Sequence, residues 1–297
     1  MTAAQAFRCG TVAIAGRPNV GKSSLLNKLV GQKLSIVSPK AQTSRHLVTG
    51  ILTTEEAQFI FVDLPGYQTR HLNALNKALN RRATEAAKDC DVTLFVVEAG
   101  RLGEEDRQVL ARIPPEQAVV AVINKADRVP KAAELLPFLD RLQKERAFAA
   151  LVPVSARTGR NLPELLRVLR EFLPAGPAAY PADTLTDRDE RFFAGELLRE
   201  KIFRLLGEEL PYRCEVTIES FKEEGRLRRI EAVVWVERES QKPILVGKGG
   251  ETLKKISTAA RKEMETLFGG KVYLGVWVKV KKDWSGDARL LRQLGYT

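Results

Sequence analysis

The 297-residue sequence is poor in the residues that form disulfides and bind metals. It has three cysteines and two histidines, and Cys9, Cys90 and Cys214 are far apart with no CxxC pair. These features exclude a disulfide-stabilised scaffold and argue against a zinc site built from cysteine or histidine. They favour a protein that functions in a reducing compartment.

Long hydrophobic runs are also missing. Apolar segments such as Val92–Val97 have the length of a strand and are far too short to span a bilayer. The N-terminus has no basic stretch leading into an apolar segment, which is the pattern of a signal peptide. We therefore expect a soluble, cytoplasmic protein.

Acidic residues are outnumbered, and the excess of positive charge has a location. The chain has 48 Lys and Arg against 37 Asp and Glu, a formal net charge of +11. Residues 241–282 hold ten basic and three acidic side chains. Such a local excess favours an anionic partner that binds at or near the segment “ILVGKGGETLKKI”.

The length suggests about two domains, and the pattern of the chain divides accordingly. Residues 1–173 alternate buried strands (“TVAIAG”, “FIFVDLPG”, “VTLFVVEAG”, “AVVAVINKAD”, “ALVPVSA”) with helical patterns. This predicts an α/β domain with a mostly parallel sheet and helices on both faces, and “HLVTGIL” with “AQFIFVD” predicts one antiparallel hairpin. The proline-rich residues 174–187 are a predicted linker, and residues 188–297 a predicted α+β domain.

The segment “GRPNVGKSS” at residues 16–24 matches the phosphate-binding loop G-x-x-x-x-G-K-[ST] between a predicted strand and a predicted helix. Its glycines let backbone amides surround phosphates. We expect Lys22 to reach the β- and γ-phosphates and Ser23 to ligate Mg²⁺. The predicted nucleotide-contacting residues of this loop are Gly16, Arg17, Pro18, Asn19, Val20, Gly21, Lys22, Ser23 and Ser24.

Two later loops predict that the base is guanine rather than adenine. “NKAD” contributes Asn124, Lys125 and Asp127, and the carboxylate of Asp127 can accept from the guanine N1 and 2-amino groups. Adenine has neither donor there, so the preference is strong, because each hydrogen bond to a charged group contributes roughly 1.5–3 kcal/mol. “SA”, Ser155 and Ala156, ends the next strand, and its backbone amide can donate to guanine O6.

The segment “DLPG” supplies the remaining phosphate chemistry: Asp63, Leu64, Pro65 and Gly66. Asp63 can hold Mg²⁺ through water, and the Gly66 amide can contact the γ-phosphate. Before it, “AQTSRH” at residues 41–46 offers two hydroxyls, Thr43 and Ser44, for a switch segment that contacts Mg²⁺. The sequence leaves the choice between them open, with Ser44 as the assigned residue.

These segments together resemble the signature of translation-factor-like GTPases, and with the second domain they resemble the bacterial Era GTPase family over essentially the full chain. The resemblance implies GTP and GDP as ligands, Mg²⁺-dependent hydrolysis, and a catalytic group of Lys22, Ser44, Asp63 and Gly66. The family switch usually reads QTTRH, so Ser44 stands at the threonine. Tyr67 follows Gly66 where Ras-like enzymes carry a water-orienting glutamine, which implies slow turnover.

The second glycine–lysine turn, Gly247-Lys248-Gly249-Gly250, lacks the spacing of a nucleotide loop. Within the predicted order α-β-β-α-α-β it resembles the GxxG turn of a type II KH domain, which clamps single-stranded RNA by its backbone. A bare GxxG is more often a plain turn, so the prediction depends on this order and on the basic patch. The predicted RNA-contacting residues are Ile244, Val246, Gly247, Lys248, Gly249, Gly250, Lys254 and Lys255.

The resemblance further implies binding near the 3′ end of small-subunit ribosomal RNA and a role in small-subunit assembly by a monomeric protein. It also implies K⁺ bound by Asn19 beside the phosphates, and peripheral association with the cell membrane, although the sequence shows no clear amphipathic anchor. Three alternatives are a factor with two GTPase domains, a metabolic P-loop kinase and a non-hydrolysing RNA-binding protein. The presence of a single P-loop counts against the first alternative, and “NKAD” counts against the kinase. The third is disfavoured because Lys22, Ser23 and Asp63 are intact.

Overall fold

The computed structural model describes residues 6–40, 43–67, 73–129, 131–207, 210–294 and 296, with the side chains of Ala132, Ala288 and Gln293 left aside. The chain forms two compact units. Unit 1 comprises Met1–Ser35, Ser44–Leu72 and Asn76–Asp187, and unit 2 comprises Ile36–Thr43, Asn73–Leu75 and Arg188–Thr297. Among the described residues, no helix combines the length and apolar character that crossing a bilayer requires.

Unit 1 contains a six-stranded sheet with the order β2-β3-β1-β4-β5-β6. β2 runs antiparallel to β3, as the hairpin prediction required, and the other neighbours are parallel. β4 and β5 are buried along their whole length, which explains their continuous apolar sequences. The strands are β1 (Arg8–Ala15), β2 (Val48–Thr53), β3 (Ala57–Asp63), β4 (Val92–Glu98), β5 (Val119–Asn124) and β6 (Ala150–Pro153).

Helices cover both faces of this sheet, so the predicted α/β class is confirmed. On one face, Ala13 and Phe95 of the strands share a core with Val109 and Phe138 of helices α3 and α4. On the other, α1 packs against β2 and β3. The helices of this part of the chain are α1 (Lys22–Val30), α2 (Ala74–Lys88), α3 (Glu104–Leu110), α4 (Leu136–Gln143) and α5 (Leu162–Arg170).

Helix α2 was not predicted from the sequence, although its sequence carries a recognisable signal. Leu75, Leu79, Ala83 and Ala87 recur every four residues, and each is at most 2% exposed. This spacing places them on one side of a helix. The helix was missed because two of the four are alanines in a segment rich in Asn, Lys and Arg.

The predicted linker, residues 174–187, lies against the sheet of unit 1. The Cys9 amide donates to the Pro174 carbonyl, and the Gly176 amide donates to the Phe7 carbonyl. The fully buried side chain of Gln58 on β3 accepts from the amides of Ala179 and Tyr180. This proline-rich segment is therefore an integral part of unit 1 and not a free tether.

Unit 2 has a three-stranded sheet with the order β7-β8-β9, in which β7 and β8 are antiparallel and β8 and β9 parallel. The order α6-β7-β8-α7-α8-β9 confirms the predicted α-β-β-α-α-β arrangement. Helices pack on one face, where Phe221 of β7 meets Phe268 of α8 edge to face. The elements are α6 (Glu190–Leu205), β7 (Cys214–Glu224), β8 (Leu227–Val236), α7 (Gln241–Val246), α8 (Glu251–Phe268), β9 (Lys271–Val280) and the short α9 (Ala288–Gln293), which the sequence analysis also missed.

Candidate nucleotide and RNA sites

The loop between β1 and α1 has the geometry that a phosphate requires. Gly16 and Gly21 have φ of 156° and 99°. A Cβ at Gly16 would lie 2.5 Å from the Val96 carbonyl oxygen, and one at Gly21 would lie 2.3 Å from Asn124 Nδ2. Both positions therefore require glycine for conformation and for space. The N-terminus of α1 begins at Lys22, directly after this loop.

Lys22 is buried and folds back over the loop. Its Nζ donates to the carbonyls of Gly16 and Arg17 at 2.9 and 3.0 Å. Burial lowers the pKa of Lys22 to about 8, an effect that Asp63 opposes and Arg17 reinforces. A buried ammonium at the start of α1 is an arrangement that attracts phosphate oxygens.

A cluster of hydroxyls surrounds the carboxylate of Asp63 at the end of β3. Ser23 and Ser35 each donate to Asp63 Oδ2 at 2.7 Å, and Ser44 Oγ lies 3.0 Å from Ser23 Oγ. Burial raises the pKa of Asp63, while Lys22 and the two serines lower it. Ser35 was not predicted from the sequence, because nothing in its local sequence marks it.

Mg²⁺ fits this cluster. Asp63 Oδ1 is buried and has no hydrogen-bond partner within the described parts of the chain. A carboxylate oxygen with an open lone pair beside serine hydroxyls is a donor set that Mg²⁺ favours. Ser23, Ser44 and Asp63 are thus brought together as predicted. The hydroxyl of Thr43 instead lies 2.5 Å from Ser38 Oγ within unit 2 and donates to the Lys40 carbonyl.

Of the residues after Asp63, Leu64 and Pro65 are buried and Gly66 lies against the phosphate loop. Leu64 and Pro65 are buried, with Leu64 in the same core as Ala13, so only their backbone can serve a nucleotide. A Cβ at Gly66 would lie 3.1 Å from Pro18 Cγ and 3.3 Å from Lys22 Nζ, which places Gly66 directly against the phosphate loop.

Tyr67 points away from this loop. It is 3% exposed, its hydroxyl lies 3.2 Å from Thr84 Oγ1 on α2, and the Arg112 guanidinium lies over its ring at 5.4 Å. The side chain that follows Gly66 is therefore part of the core of unit 1. Ala41 and Gln42, the first two residues of the predicted switch segment, lie outside the described residues.

The side chain of Asn124 links the phosphate loop to the loop after β6 by hydrogen bonds. It is 2% exposed, its Nδ2 donates to the Val20 carbonyl at 2.8 Å, and its Oδ1 accepts from the Ala156 amide at 3.0 Å. Because the Ala156 amide already has this acceptor, and the Ser155 amide donates to Arg160, donation from these amides to guanine O6 stays a prediction.

Asp127 is held by side chains on the next loop. Ser155 Oγ donates to Asp127 Oδ1 at 2.6 Å, and Arg157 pairs with Oδ2 at 2.7 Å. The Ser155 hydrogen bond is the main reason why the pKa of Asp127 is lowered, and the charge of Arg157 adds to it. Asp127 is thus an ionised, oriented carboxylate, which is what reading a guanine edge requires.

Glu98, at the end of β4, forms ion pairs with both the phosphate loop and the “NKAD” loop. It was not assigned a role from the sequence. It pairs with Lys125 at 3.0 Å, Arg128 at 3.1 Å and Arg17 at 3.4 Å. Lys125 also donates to the Asn19 carbonyl at 2.9 Å. The only sequence signal is position, since Glu98 ends a parallel strand at the same sheet edge as Asp63 and Asn124.

The second turn, between α7 and α8, has a different geometry. Gly247, Gly249 and Gly250 have φ of 77°, 58° and 85°. A Cβ at Gly247 would lie 2.2 Å from Thr252 Oγ1, whereas nothing lies within 4 Å of one at Gly249 or Gly250. The backbone of the last two glycines therefore faces open space, and α8 begins immediately after them.

The other residues predicted to contact RNA lie around this turn. Lys248, Lys254 and Lys255 are exposed, and the last two line a shallow depression along α8 together with Glu251, Thr258, Ala259 and Lys262. Ile244 is 59% exposed and Val246 half-buried, while Leu245 is fully buried. Because Leu245 anchors α7 in the core, Ile244 and Val246 are the apolar side chains of this segment that remain accessible to RNA.

Comparison with known families gives two matches. A family described as 50S ribosome-binding GTPase matches residues 11–125, and the KH domain family matches residues 209–285.

Several curated relatives match nearly end to end. GTPase Era of Nitrosomonas eutropha is 53% identical over 293 residues, covering 99% of each chain. GTPase Era of Chromobacterium violaceum is 53% identical over 289 residues, covering 97% of this chain and 98% of its own. GTPase Era of Neisseria meningitidis is 54% identical over 296 residues, covering 99% of this chain and 96% of its own.

Two solved structures share the whole fold. An Aquifex aeolicus Era variant bound to GDP and AlF4⁻ has a TM-score of 0.94 at 38% identity, covering 98% of this chain and all of its own. Era in complex with MgGDPNP and nucleotides 1506–1542 of 16S ribosomal RNA has a TM-score of 0.93 at 38% identity, covering 98% and 99%.

Proposed function

The chain belongs to the Era family of GTPases, and we propose that it is a GTP-hydrolysing switch that binds small-subunit ribosomal RNA through unit 2. The observation that carries the proposal is the arrangement of Lys22, Ser23 and Asp63 around a loop with space for phosphate. The guanine-specific carboxylate of Asp127 complements it within unit 1. Unit 2 supplies the separate glycine turn at residues 247–250.

The residues of unit 1 divide the work of hydrolysis. The amides of the phosphate loop and Lys22 bind the β- and γ-phosphates, and the Gly66 amide contacts the γ-phosphate. Ser23, Ser44 and Asp63 would hold Mg²⁺, which would neutralise charge on the phosphate oxygens. Tyr67 is packed in the core and cannot orient a water molecule, so turnover without a partner is slow.

Asn19 extends this proposal to a monovalent ion. Its backbone is left-handed, with φ of 65°, and its side chain is exposed at the edge of the phosphate loop. We propose that it coordinates K⁺ beside the phosphates. Hydrolysis measured in KCl and in NaCl of equal ionic strength tests this, and equal rates in the two salts rule it out.

For unit 2, we propose binding of single-stranded RNA near the 3′ end of small-subunit ribosomal RNA, in the service of small-subunit assembly. The support is the exposed backbone at Gly249 and Gly250, the lysines along α8, and the RNA complex of the related Era. The protein would act as a monomer in the cytoplasm. Its peripheral association with the membrane is a separate proposal, which co-sedimentation with vesicles of anionic phospholipid tests.

The experiment compares one variant at each site. Lys248→Asp with Gly249→Asp places two carboxylates where RNA phosphates approach, and we expect binding of a 16S RNA 3′-end fragment to weaken by more than about tenfold. GTP binding and hydrolysis without RNA should stay near wild type. Lys22→Ala should weaken GTP binding roughly 10- to 100-fold and leave binding of the RNA fragment near wild type. Loss of both activities in a folded single-site variant would contradict the assignment.

A further inference from the structure

The sheet of unit 2 has a second face, opposite the helices, and part of it is exposed to solvent. Along β9, side chains alternate between the two faces: Val272 and Val278 are buried, while Tyr273 and Trp277 point the other way. The register places Arg229 and the buried Val233 of β8 opposite these two aromatic residues. We call this surface, which also includes Lys271 and Lys279, the open face.

The aromatic residues of the open face are unusually accessible. Tyr273 and Trp277 are each 48% exposed, whereas every other aromatic residue in the described parts of the chain is buried or half-buried. Leaving large apolar surface in water forgoes the stabilisation that burial gives. The two residues lie four positions apart on one strand, with Gly275 midway between them on the same face.

Gly275, between them, sets the position of the indole. A Cβ at Gly275 would lie 2.9 Å from Cη2 and 3.1 Å from Cζ3 of Trp277. The six-membered ring therefore lies over Gly275, in space that any other residue would fill. Gly275 has no positive φ that would require glycine, so the absence of a side chain serves to let the indole lie back along the strand.

Positive charge surrounds the aromatic rings. The Arg229 guanidinium lies 4.8 Å from the centre of the Tyr273 ring, and the ammonium groups of Lys279 and Lys281 lie 5.8 and 5.3 Å from the centre of the Trp235 ring. Two carboxylates lie among these cations. Glu231 is opposite Gly275 in the strand register, and Glu224 pairs with Arg229 at 3.3 Å. With Lys271, cations exceed carboxylates on this face.

We propose that the open face is a second contact surface for single-stranded RNA, on which bases stack. Planar bases match the exposed indole of Trp277 and the stacked pair of Arg229 and Tyr273, and phosphates match Lys271 and Lys279. Neither an acidic peptide nor a lipid surface accounts for the flat aromatic arrangement and the charge together. The inference rests on the proposed RNA binding of unit 2 and adds a site to it.

The open face is distinct from the glycine turn. α8, which follows Gly250, turns its buried residues Ile256, Ala260 and Met264 into the core on the helix-covered side of the sheet. The two surfaces thus belong to opposite sides of unit 2. The glycine turn would bind single-stranded RNA by its backbone, and the open face would bind it by its bases. Because every base can stack on an aromatic ring, binding at the open face would not depend on the RNA sequence.

The test uses a 5′-fluorescein-labelled oligoadenylate of twelve nucleotides and the full chain carrying Lys248→Asp and Gly249→Asp, which isolates the open face. Titration should quench tryptophan fluorescence and raise anisotropy. Adding Trp277→Ala and Tyr273→Ala should weaken binding by about tenfold or more. Trp277→Phe should retain most of the affinity and lose the quenching, because phenylalanine keeps a ring but not the indole signal.

Gly275→Ala provides a second variant that keeps both aromatic residues. It should displace the indole and reduce affinity and quenching without lowering the melting temperature. Leu136→Ala, at an exposed apolar residue of α4 in unit 1, is the matched control and should change nothing.

Equal affinity in the aromatic double variant and its parent overturns the proposal, while RNA binding at the glycine turn is untouched by that result. A concentration-dependent dimer in sedimentation velocity that the double variant abolishes, with unchanged oligoadenylate affinity, also overturns it. In that case the open face is a contact between two copies of the chain.

Discussion

In unit 1, fixed hydrogen-bond partners orient the polar side chains of the proposed guanine site. Ser155 holds one oxygen of Asp127, and Asn124 uses both ends of its amide on loop backbone. Only Oδ2 of Asp127 faces an exchangeable partner, the largely exposed Arg157. A guanine edge that displaces Arg157 gains a carboxylate whose orientation is already set, so little ordering remains to oppose binding.

Asp127→Asn should exchange the preferred base. The amide cannot accept from both guanine donors, and its NH₂ group can donate to the 2-oxo group of xanthine. We expect GTP affinity to fall by at least roughly 100-fold, because two lost charge-assisted bonds of about 1.5–3 kcal/mol each amount to about 3 kcal/mol or more, and xanthosine triphosphate affinity to rise. Competition titration measures both. If GTP were still preferred, the base would be read by other residues.

Ser44 and Thr43 can be separated by a pair of alanine variants. Ser44 Oγ lies beside Ser23 and the open oxygen of Asp63, whereas the Thr43 hydroxyl is engaged by Ser38 and the Lys40 carbonyl. Ser44→Ala should leave GDP affinity unchanged and slow single-turnover hydrolysis by about tenfold, since one charge-assisted contact contributes about 1.5–3 kcal/mol. Thr43→Ala should hydrolyse at the wild-type rate, and the reverse pattern would assign the switch hydroxyl to Thr43.

At the scale of elements, the C-terminal end of β4 connects the loops of the nucleotide site. Glu98 is mostly buried and pairs with Arg17 of the phosphate loop and Lys125 of the base loop. Burial raises the pKa of Glu98, but the bond and charge of Lys125, with Arg17 and Arg101, outweigh it and leave the pKa below its ordinary value. The carboxylate therefore favours the folded state wherever it is ionised.

Glu98→Gln should weaken GDP binding and destabilise unit 1. We expect a loss of about 1–3 kcal/mol in the free energy of unfolding and a faster release of GDP in stopped-flow. Since the folded pKa is lowered, this difference from wild type is complete above the ordinary pKa of glutamate and shrinks as pH falls through the lowered value. Glu104→Gln, an exposed acid on α3, is the control. A difference that grows in acid would contradict the role.

One buried side chain holds the middle of the segment 174–187. Gln58 accepts from the Ala179 and Tyr180 amides and donates to the Tyr180 carbonyl and Thr53. Gln58→Ala leaves these groups without partners and should cost about 1–3 kcal/mol in urea unfolding. Hydrogen exchange should accelerate at Ala179 and Tyr180. The exposed Gln143→Ala on α4 should show neither effect, and unchanged exchange in Gln58→Ala would show that the backbone hydrogen bonds of Pro174 and Gly176, rather than Gln58, hold the segment.

These elements also indicate where sequence-based inference ends. The phosphate loop, Asp63 and Asp127 were predictable because their chemistry demands particular residue types at short, fixed spacings. Ser35 and Glu98 act on residues distant in the chain, and only the order of the strands brings them together. α2 lacked a strong apolar pattern, and the packing of residues 174–187 depends on Gln58, a polar residue that a strand pattern gives no reason to expect inside.

At the scale of the whole molecule, the net charge of +11 assists RNA binding only where basic side chains cluster on the surface. The lysines of α8 near the glycine turn are exposed, and binding of RNA phosphates there releases counterions. RNA affinity should therefore fall steeply with salt, whereas GTP affinity, which rests on buried groups such as Lys22, should change little.

Lys254→Gln with Lys255→Gln should flatten the salt dependence of RNA binding. If each lysine contacts one phosphate, the slope of log K against log salt should decrease by about 1.4, because single strands contribute about 0.7 per contact. Filter binding of the 16S fragment at several KCl concentrations measures the slope. The control is Lys88→Gln at the exposed C-terminal end of α2. A slope that matches wild type would place these lysines outside the RNA contact.

The attachment of residues 174–187 to unit 1 bears on where this chain tolerates a break. A cut at Leu173 would remove the carbonyl of Pro174 from Cys9 and the amides of Ala179 and Tyr180 from Gln58. A fragment that retains all of unit 1 should therefore extend to Asp187, where the last segment of unit 1 ends. A protease site or a fluorescent protein meant to separate the units belongs between Asp187 and Arg188. The conspicuous prolines at 174, 177 and 181 mark the wrong place to cut.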